Sequence, residues 1–208
     1  MPEQKEVGYH HKSLKQAVID MSLAIVEESG HDGLSLRDVA ERCGVSRSAP
    51  YKHFKDKNEL LLEIAITGFD SLAKAQRKTM TQTGDDRAEN LKTLCFNYVS
   101  FAIKHQNLYQ LMYSKSLTKA EQKSRLVMAK MKSLFWISAT IDHGVTDEYT
   151  QSKTQELVTG HLWSHVHGLT MLVLDNGATN ESLSAQAKDF VEASVDLLFL
   201  GLLNEKRR

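Results

Sequence analysis

The stretch Ser35–Lys57, SLRDVAERCGVSRSAPYKHFKDK, most constrains what this chain can fold into. Ser35 can cap a short helix, and Gly44 stands where that helix must end in a residue that tolerates positive φ. Ser46 can cap a second short helix, which we predict to run to Phe54. Two short helices joined by a glycine-containing turn form the unit that lays its second helix in the major groove of DNA. The stretch therefore predicts a helix-turn-helix.

Charge supports this prediction locally but not globally. The whole chain has 26 basic and 26 acidic residues, so composition implies no general attraction to nucleic acid. Between Arg42 and Lys57, five basic residues accompany one acidic residue, which gives a net charge of +4. Because phosphates need to be neutralised only where the duplex is touched, a neutral chain with this basic segment is compatible with DNA binding.

The spacing of the motif resembles that of a known family. Its residues are Leu36, Val39, Ala40, Cys43, Gly44, Val45 and Ser46, followed by Tyr51, His53, Phe54, Lys57, Leu60 and Leu61. This pattern is similar to the N-terminal DNA-binding domain of TetR-type (TetR/AcrR) transcriptional regulators, and the resemblance covers roughly Lys12 to Phe69. Pro50 departs from the common family pattern, but a proline early in a short helix lacks only an N–H that would be unpaired anyway.

The resemblance implies a role for each candidate DNA-binding residue. Tyr51 and Lys57 would hold phosphates, with Ser35 and His53 as helpers. The side chains expected to face base edges are Arg47, Ser48, Ala49 and Lys52, while Arg37 could reach either phosphate or base. We expect Arg47 to contact guanine, because a guanidinium can bond O6 and N7 together.

The remaining sequence predicts an all-α fold. Apolar residues recur at helical spacing along the chain, whereas no regular alternation bounded by turn signals supports strands. We expect a three-helix DNA-binding domain joined by a long fourth helix to a C-terminal ligand-binding and dimerisation domain. The predicted divisions are a flexible arm at 1–11, the DNA-binding domain at 12–72 and the C-terminal domain at 73–208. The predicted helices after the motif are Asp56–Met80, Arg87–His105, Thr118–Ile141, Ser152–Leu174 and Ser182–Leu203, with a short apolar segment at Leu108–Tyr113.

The last two predicted helices are apolar on more than one side, which one buried stripe does not account for. We expect a second copy of the chain to cover the surplus, and TetR-type regulators usually form dimers through these helices. The candidate interface residues are Leu162, Val166, Leu169, Val195, Leu198 and Leu202. In addition, Trp163, His167 and Gly168 resemble the Trp-His-Gly (WHG) signature of one branch of the family.

Aromatic residues and methionines are concentrated in the helices that the resemblance assigns to effector binding. We predict that they line a pocket for a small molecule of unknown identity. The candidates are Tyr98, Phe101, Met112, Tyr113, Met131, Phe135, Trp136, Trp163, His167 and Met171. Taken singly, each is more often a plain core residue.

Other functional classes have less support. No catalytic motif is present, and no cofactor or metal is expected, although His161 and His165 lie four apart on one helix face and keep a metal-binding bundle or helical enzyme as the alternative. Cys43 and Cys95 show no CxxC pattern, which suggests reduced thiols. Since no stretch of 18 apolar residues occurs, we expect no membrane partner and a cytoplasmic location. The predicted function is a dimeric, ligand-responsive regulator of double-stranded operator DNA, and most simply a repressor.

Overall fold

The computed structural model of the chain describes residues 11–81, 84, 86–117, 120–142, 155–175 and 189–197. All regular secondary structure in these ranges is helical, which confirms the all-α prediction. The α-helices are α1 (His11–Ser29), α2 (Leu36–Arg42), α3 (Lys57–Met80), α4 (Arg87–Lys104), α5 (Gln106–Met112), α6 (Ala120–Asp142), α7 (Gln155–Asp175) and α8 (residues 189–197). Two short 3-10 helices lie at Pro50–Lys52 and Lys115–Leu117.

The ends of the first two helices follow the local chemistry of the sequence. The Ser35 hydroxyl accepts a hydrogen bond from the Asp38 N–H at 3.1 Å and so caps α2, as predicted. Gly44 follows α2 with φ +66°, and its N–H donates to the Glu41 carbonyl at 3.0 Å. Gly30 ends α1 in the same way, with φ +80°. The predicted cap at Ser35 and the predicted stop at Gly44 are confirmed.

Two side chains fix the beginning of α3. The Asp56 carboxylate accepts the Glu59 N–H at 2.9 Å, and the Glu59 carboxylate accepts the Lys55 N–H at 2.6 Å. Together these two bonds resemble a capping box, except that the return bond reaches Lys55 instead of Asp56. From this start α3 continues for 24 residues, a length of about 36 Å at the usual rise of an α-helix.

The chain divides into two compact units, and α3 contributes to both. The first unit runs through Thr67 and includes Asn107–Ser124. In it, α1 packs against α2 and against the 3-10 helix Pro50–Lys52, and the Asn107 amide donates to the Glu27 carbonyl at 3.0 Å. Its core includes Val18, Val26, Leu34, Leu36, Val39, Phe54, Leu60, Ile64, Leu108 and Tyr109.

The second unit comprises Gly68–Gln106 and resumes at Arg125. Helix α4 packs against α7, and Lys132 of α6 forms an ion pair with Asp70 of α3 at 2.6 Å. The core includes Phe69, Leu72, Leu91, Leu94, Tyr98, Val99, Ile137, Leu162, Val166, Val191 and Val195. The predicted functional division at 12–72 and 73–208 stays a prediction.

The last predicted helices are described only in part. Helix α7 lies within one to three residues of its predicted bounds, and α8 lies inside the predicted Ser182–Leu203. Leu198, Leu202 and most of the predicted N-terminal arm lie outside the described residues. Among the helices that the structure does describe, none combines the length and the apolar character needed to span a membrane.

Candidate DNA-binding surface and ligand cavity

The segment Ser46–Phe54 is the part of the helix-turn-helix expected to enter DNA. We predicted an α-helix here, and that prediction was wrong in type: residues 47–49 form turns, and Pro50–Lys52 form a 3-10 helix. Pro50 has no N–H to donate to the Ser46 carbonyl, which instead accepts the Ala49 N–H at 2.9 Å. The Lys52 N–H likewise bonds three residues back, to the Ala49 carbonyl, at 3.2 Å. The tighter geometry therefore follows from the proline.

Two buried residues hold this segment against the first unit. Pro50 is buried, and the Phe54 side chain is 1% exposed. The Lys15 ammonium lies 5.7 Å from the centre of the Phe54 ring, and the His53 ring meets Phe54 edge-on at 6.5 Å. With both ends of the 3-10 helix anchored, the intervening side chains have a defined outward direction.

Most of the predicted base-contacting residues lie on the outward side. The exposed candidates are Arg37, Arg47, Ser48, Tyr51 and Lys52. Tyr51 is a large aromatic side chain, yet it is 56% exposed, which leaves its hydroxyl accessible. Ala49 is half-buried between them. A guanidinium, a phenol and an ammonium, those of Arg47, Tyr51 and Lys52, are thus all exposed within six consecutive residues of the chain.

The other predicted DNA contacts have structural roles as well. The Lys57 ammonium donates to the Asp32 carbonyl at 2.7 Å and so ties the loop after α1 to the beginning of α3. His53 is half-buried, and its Nε2 has no hydrogen-bond partner in the described part of the chain. Arg42, which contributed to the +4 segment, pairs with Glu28 at 2.9 Å. Of the five basic residues of the +4 segment, Arg42 is thus the one with a described ion pair, while Arg47, Lys52 and Lys55 are exposed.

A cavity of about 410 Å³ lies in the second unit between α6 and α7. Its lining residues are Lys130, Met131, Leu134, Phe135, Ser138, Thr159, Gly160 and Trp163. Three of the ten predicted pocket residues are among them: Met131, Phe135 and Trp163. Sequence reasoning missed the other five, although Lys130, Leu134 and Ser138 continue the same face of α6 at spacings of four.

Trp163 connects the cavity to the interior of the unit. Its indole N–H donates to the Tyr98 hydroxyl at 3.3 Å, and that hydroxyl lies 3.4 Å from His167 Nδ1. The His167 ring stacks on Trp163 with 5.0 Å between ring centres, and the Lys130 ammonium lies 3.6 Å from the centre of the indole ring. The Trp-His pair of the predicted signature is thus in contact, and Tyr98 links to both residues.

The burial of these groups changes their acid–base behaviour. Burial lowers the pKa of His167, and the nearby positive charge of Lys130 lowers it further. Burial also lowers the pKa of Lys130. Both effects arise because the charged forms lose hydration when they leave water. The lowered pKa favours the neutral form of His167, in which Nδ1 can accept a hydrogen bond from the Tyr98 hydroxyl.

Comparison with known proteins identifies the family. Residues 18–64 match the model of the bacterial regulatory proteins of the tetR family. Residues 91–198, more than half of the chain, match the model of the tetracyclin repressor-like C-terminal domain. The chain belongs to the TetR family. It is accordingly a DNA-binding transcriptional regulator and not an enzyme. The finer resemblance to the Trp-His-Gly branch stays a prediction.

Individual relatives agree with the TetR assignment. The chain is 23% identical over 189 residues to the uncharacterized HTH-type transcriptional regulator YobS of Bacillus subtilis (strain 168), covering 91% of this chain and 92% of the relative. It is 40% identical over 98 residues to the HTH-type transcriptional regulator AcrR of Shigella flexneri, covering 47% of this chain and 46% of AcrR. A solved structure of a protein of unknown function from Rhodococcus sp. RHA1 aligns with a TM-score of 0.75 at 27% identity, covering 94% of this chain and 98% of that protein.

The remaining predicted effector residues of this TetR regulator do not line the cavity. Tyr98 and His167 contact the lining residue Trp163, and Trp136 packs edge-on against Phe135 at 5.3 Å. Phe101 is buried beside His105, and Met171 is 39% exposed on α7. Met112 and Tyr113 belong to the first unit, where Tyr113 packs against Tyr109. Aromatic composition alone did not distinguish these positions from the cavity wall.

Four of the six predicted dimer residues are described by the structure, while Leu198 and Leu202 lie outside the described residues, so the predicted interface stays a prediction. Leu162, Val166, Leu169 and Val195 are buried within the single chain, with at most 7% of each residue exposed. The large apolar side chains exposed on the same helices are Leu157, Met171, Leu172, Phe190 and Leu197. Among the described residues of these two helices, this exposed set is the large apolar surface that remains open to a partner.

The alternative metal and redox chemistries gain no support from the described residues. In that part of the chain, no group of three or more His, Cys, Asp and Glu side chains is placed to hold a metal ion. His161 is exposed and His165 is half-buried. Burial raises the pKa of the Cys43 thiol, and it raises the pKa of Cys95 to about 12. Both thiols therefore stay protonated near neutral pH, which makes them weak nucleophiles.

Proposed function

We propose that this TetR-family chain is a dimeric repressor that a small molecule releases from operator DNA. The observation that carries the proposal is the anchoring of Ser46–Phe54 by the buried Pro50 and Phe54, which leaves Arg47, Tyr51 and Lys52 exposed together. A second unit with a cavity of ligand size supports the responsive part of the proposal. We assign DNA binding to residues 12–72 and effector binding and dimerisation to 73–208, with 1–11 as an arm.

In this proposal, the two kinds of DNA contact fall on different residues. Arg47 reads guanine, and Ser48, Ala49 and Lys52 lie against neighbouring base edges. Tyr51 and Lys57 hold phosphates, with Arg37 beside them. Ser35 and His53 act through the structure, since Ser35 caps α2 and His53 packs on Phe54. Two protomers would then place their segments in major grooves about one helical turn apart on a pseudo-palindromic operator.

The partner protomer would cover the apolar side chains that the second unit leaves exposed. Leu157 and Leu172 of α7 and Phe190 and Leu197 of α8 are 49–69% exposed, which is unusual for four large apolar side chains on two helices. Their burial in a homodimer would remove this surface from water. A regulator with chromosomal DNA as its partner acts in the cytoplasm, which we include in the proposal.

The long helix α3 is the element through which the two activities can be coupled. It begins in the first unit, continues into the second and bears Asp70, which pairs with Lys132 two residues beyond Lys130 on α6. A ligand that binds one arrangement of α6 more tightly than another shifts the population of that arrangement. This shift in population changes the affinity for DNA only if it also changes the position of α3.

The proposal is tested by fluorescence anisotropy of the full chain with duplexes from the DNA upstream of its own coding region. Arg47→Ala should weaken binding to the cognate duplex by roughly 1–3 kcal/mol and relax the preference at one base position. Lys57→Ala should weaken binding to cognate and random duplexes alike and reduce the salt slope by about 1. Arg77→Ala, which removes an exposed arginine of α3 in the second unit, serves as the matched control and should change neither.

Two results would contradict the proposal. Equal losses on cognate and random DNA for Arg47→Ala would show that Arg47 contacts only the backbone. Tight binding of zinc by the purified protein, together with failure to bind any duplex, would favour the metal-binding alternative.

A further inference from the structure

The cavity between α6 and α7 combines a largely apolar lining with one charged residue. Apolar and aromatic side chains form most of its wall: Met131, Leu134, Phe135 and Trp163. Among the eight described residues that line it, Lys130 is the one with a charged side chain. Thr159 lies in the same wall at 6% exposure, and its hydroxyl has no hydrogen-bond partner in the described part of the chain. A ligand here meets one cation and a largely apolar surface.

The position of that cation is fixed by an aromatic ring. The Lys130 ammonium lies 3.6 Å from the centre of the Trp163 indole, close enough for a cation–π interaction. The Trp163 ring is itself held in place by its hydrogen bond to Tyr98 and by its stacking on His167. Because Trp163 is held on these sides, it presents Lys130 at a defined place instead of letting a flexible side chain extend into water.

The environment of Lys130 favours an anion over a neutral group. The lysine is half-buried, so its ammonium has lost part of its hydration, and the loss lowers its pKa. An anion that approaches in such a place interacts with the ammonium more strongly than it would in water, because the surroundings screen the charges less. A neutral ligand of the same shape would gain only the apolar contacts.

We propose that this cavity binds a small amphipathic carboxylate, whose carboxylate pairs with the Lys130 ammonium while its apolar body packs on Met131, Leu134, Phe135 and Trp163. The inference rests on the proposed function, because it assigns a chemical class to the effector of that regulator. The recognition itself needs no DNA, so the two can be tested separately. The charge of Lys130 complements that of a carboxylate, and for this reason we favour a small carboxylate over a second copy of the chain as the occupant.

The test is isothermal titration calorimetry of the full-length protein without DNA, with sodium decanoate and its neutral isostere decanamide as probes. Decanoate should bind at least about tenfold more tightly than decanamide, which is the range for a hydrogen bond to a charged group. In Lys130→Met the two probes should bind within about twofold of each other, because methionine keeps the apolar stem and removes the charge. Lys123→Met changes an exposed lysine on the same helix and should keep the wild-type preference.

The outcomes are distinct. Equal binding of decanoate and decanamide to the wild-type protein would overturn the proposal without any variant, as would failure of decanoate to bind. The proposal would also be overturned if Lys130→Met still preferred decanoate over decanamide. The same holds if Lys130→Met changed only the self-association of the protein. If decanoate binds as expected but leaves the operator complex unchanged, the cavity assignment is supported, and it is the ligand control in the proposed function that fails.

Discussion

Replacing Gly44 by alanine tests how the turn of the helix-turn-helix is held. Gly44 has φ +66°, and a Cβ added there would meet no atom within 4 Å, so the cost of the substitution comes from the backbone alone. An L-residue in this conformation costs about 1–2 kcal/mol, and the loss of glycine entropy in the unfolded chain offsets part of it, which leaves a net loss of about 1 kcal/mol. For a chain of this length that loss lowers the Tm by roughly 2–4 °C.

The matched control is Gly33→Ala. Gly33 also has open space around its missing Cβ, but its φ is not in the left-handed region, so alanine there should be neutral or slightly stabilising. Gly44→Asn should lie between the wild type and Gly44→Ala, because asparagine tolerates positive φ better than alanine. Urea denaturation followed by circular dichroism measures all three. Equal stability of Gly44→Ala and Gly33→Ala would refute the claim that the turn depends on positive φ.

Three further predictions concern the buried His167, the exposed face of α8 and the two cysteines. The pKa of His167 is lowered in the folded chain, so the unfolded chain binds more protons below about pH 6.5, and stability should fall as the pH drops from there towards the lower folded pKa. Thermal melts from pH 7.5 to 5 should show a shallower fall of the Tm for His167→Gln than for the wild type. Identical slopes of Tm against pH for the two proteins would exclude His167 as the cause. Leu197→Glu places a charge on a side chain that is 69% exposed, so each protomer should stay folded while sedimentation shows loss of the dimer, and an intact dimer would remove α8 from the interface. A thiol reagent at pH 8 should modify the partly exposed Cys43 well before the fully buried Cys95 in the native protein, and equal rates would contradict the assigned burial.

The sequence was sufficient wherever one residue type has one strong local preference. Ser35 and Asp56 cap helices with their side-chain oxygens, and Gly30 and Gly44 end helices because glycine adopts positive φ at little cost. Each of these interactions joins residues only a few positions apart. Local spacing therefore carried the information, and the helix bounds near these residues are correct within one or two positions.

Local spacing was insufficient where one residue combined two effects. Pro50 was accepted as an early helix residue, but its missing N–H also left the Ser46 carbonyl to bond three residues ahead, which converts the segment to turns and a 3-10 helix. The helical period showed that α7 and α8 were apolar on several sides. It could not show which side faces their own core, because that depends on the packing of α4 against α7.

The cavity illustrates a different limit. Its three predicted members, Met131, Phe135 and Trp163, were chosen as aromatic residues and a methionine, a choice that excludes any lysine, and charged residues on a helix usually face water. Only the distance between the Lys130 ammonium and the Trp163 ring reveals that this lysine lies in the wall. Such contacts between distant parts of the chain cannot be read from one sequence.

The anchoring of the recognition segment by Pro50 and Phe54 also affects how this regulator can evolve. The exposed positions Arg47, Ser48 and Lys52 contribute little to the core, so substitutions there should change the folding free energy by no more than about 0.5 kcal/mol. Mutations can therefore alter operator preference without a compensating change elsewhere in the fold. A duplicated copy of the gene could acquire a new target sequence through these few positions while it keeps the same scaffold.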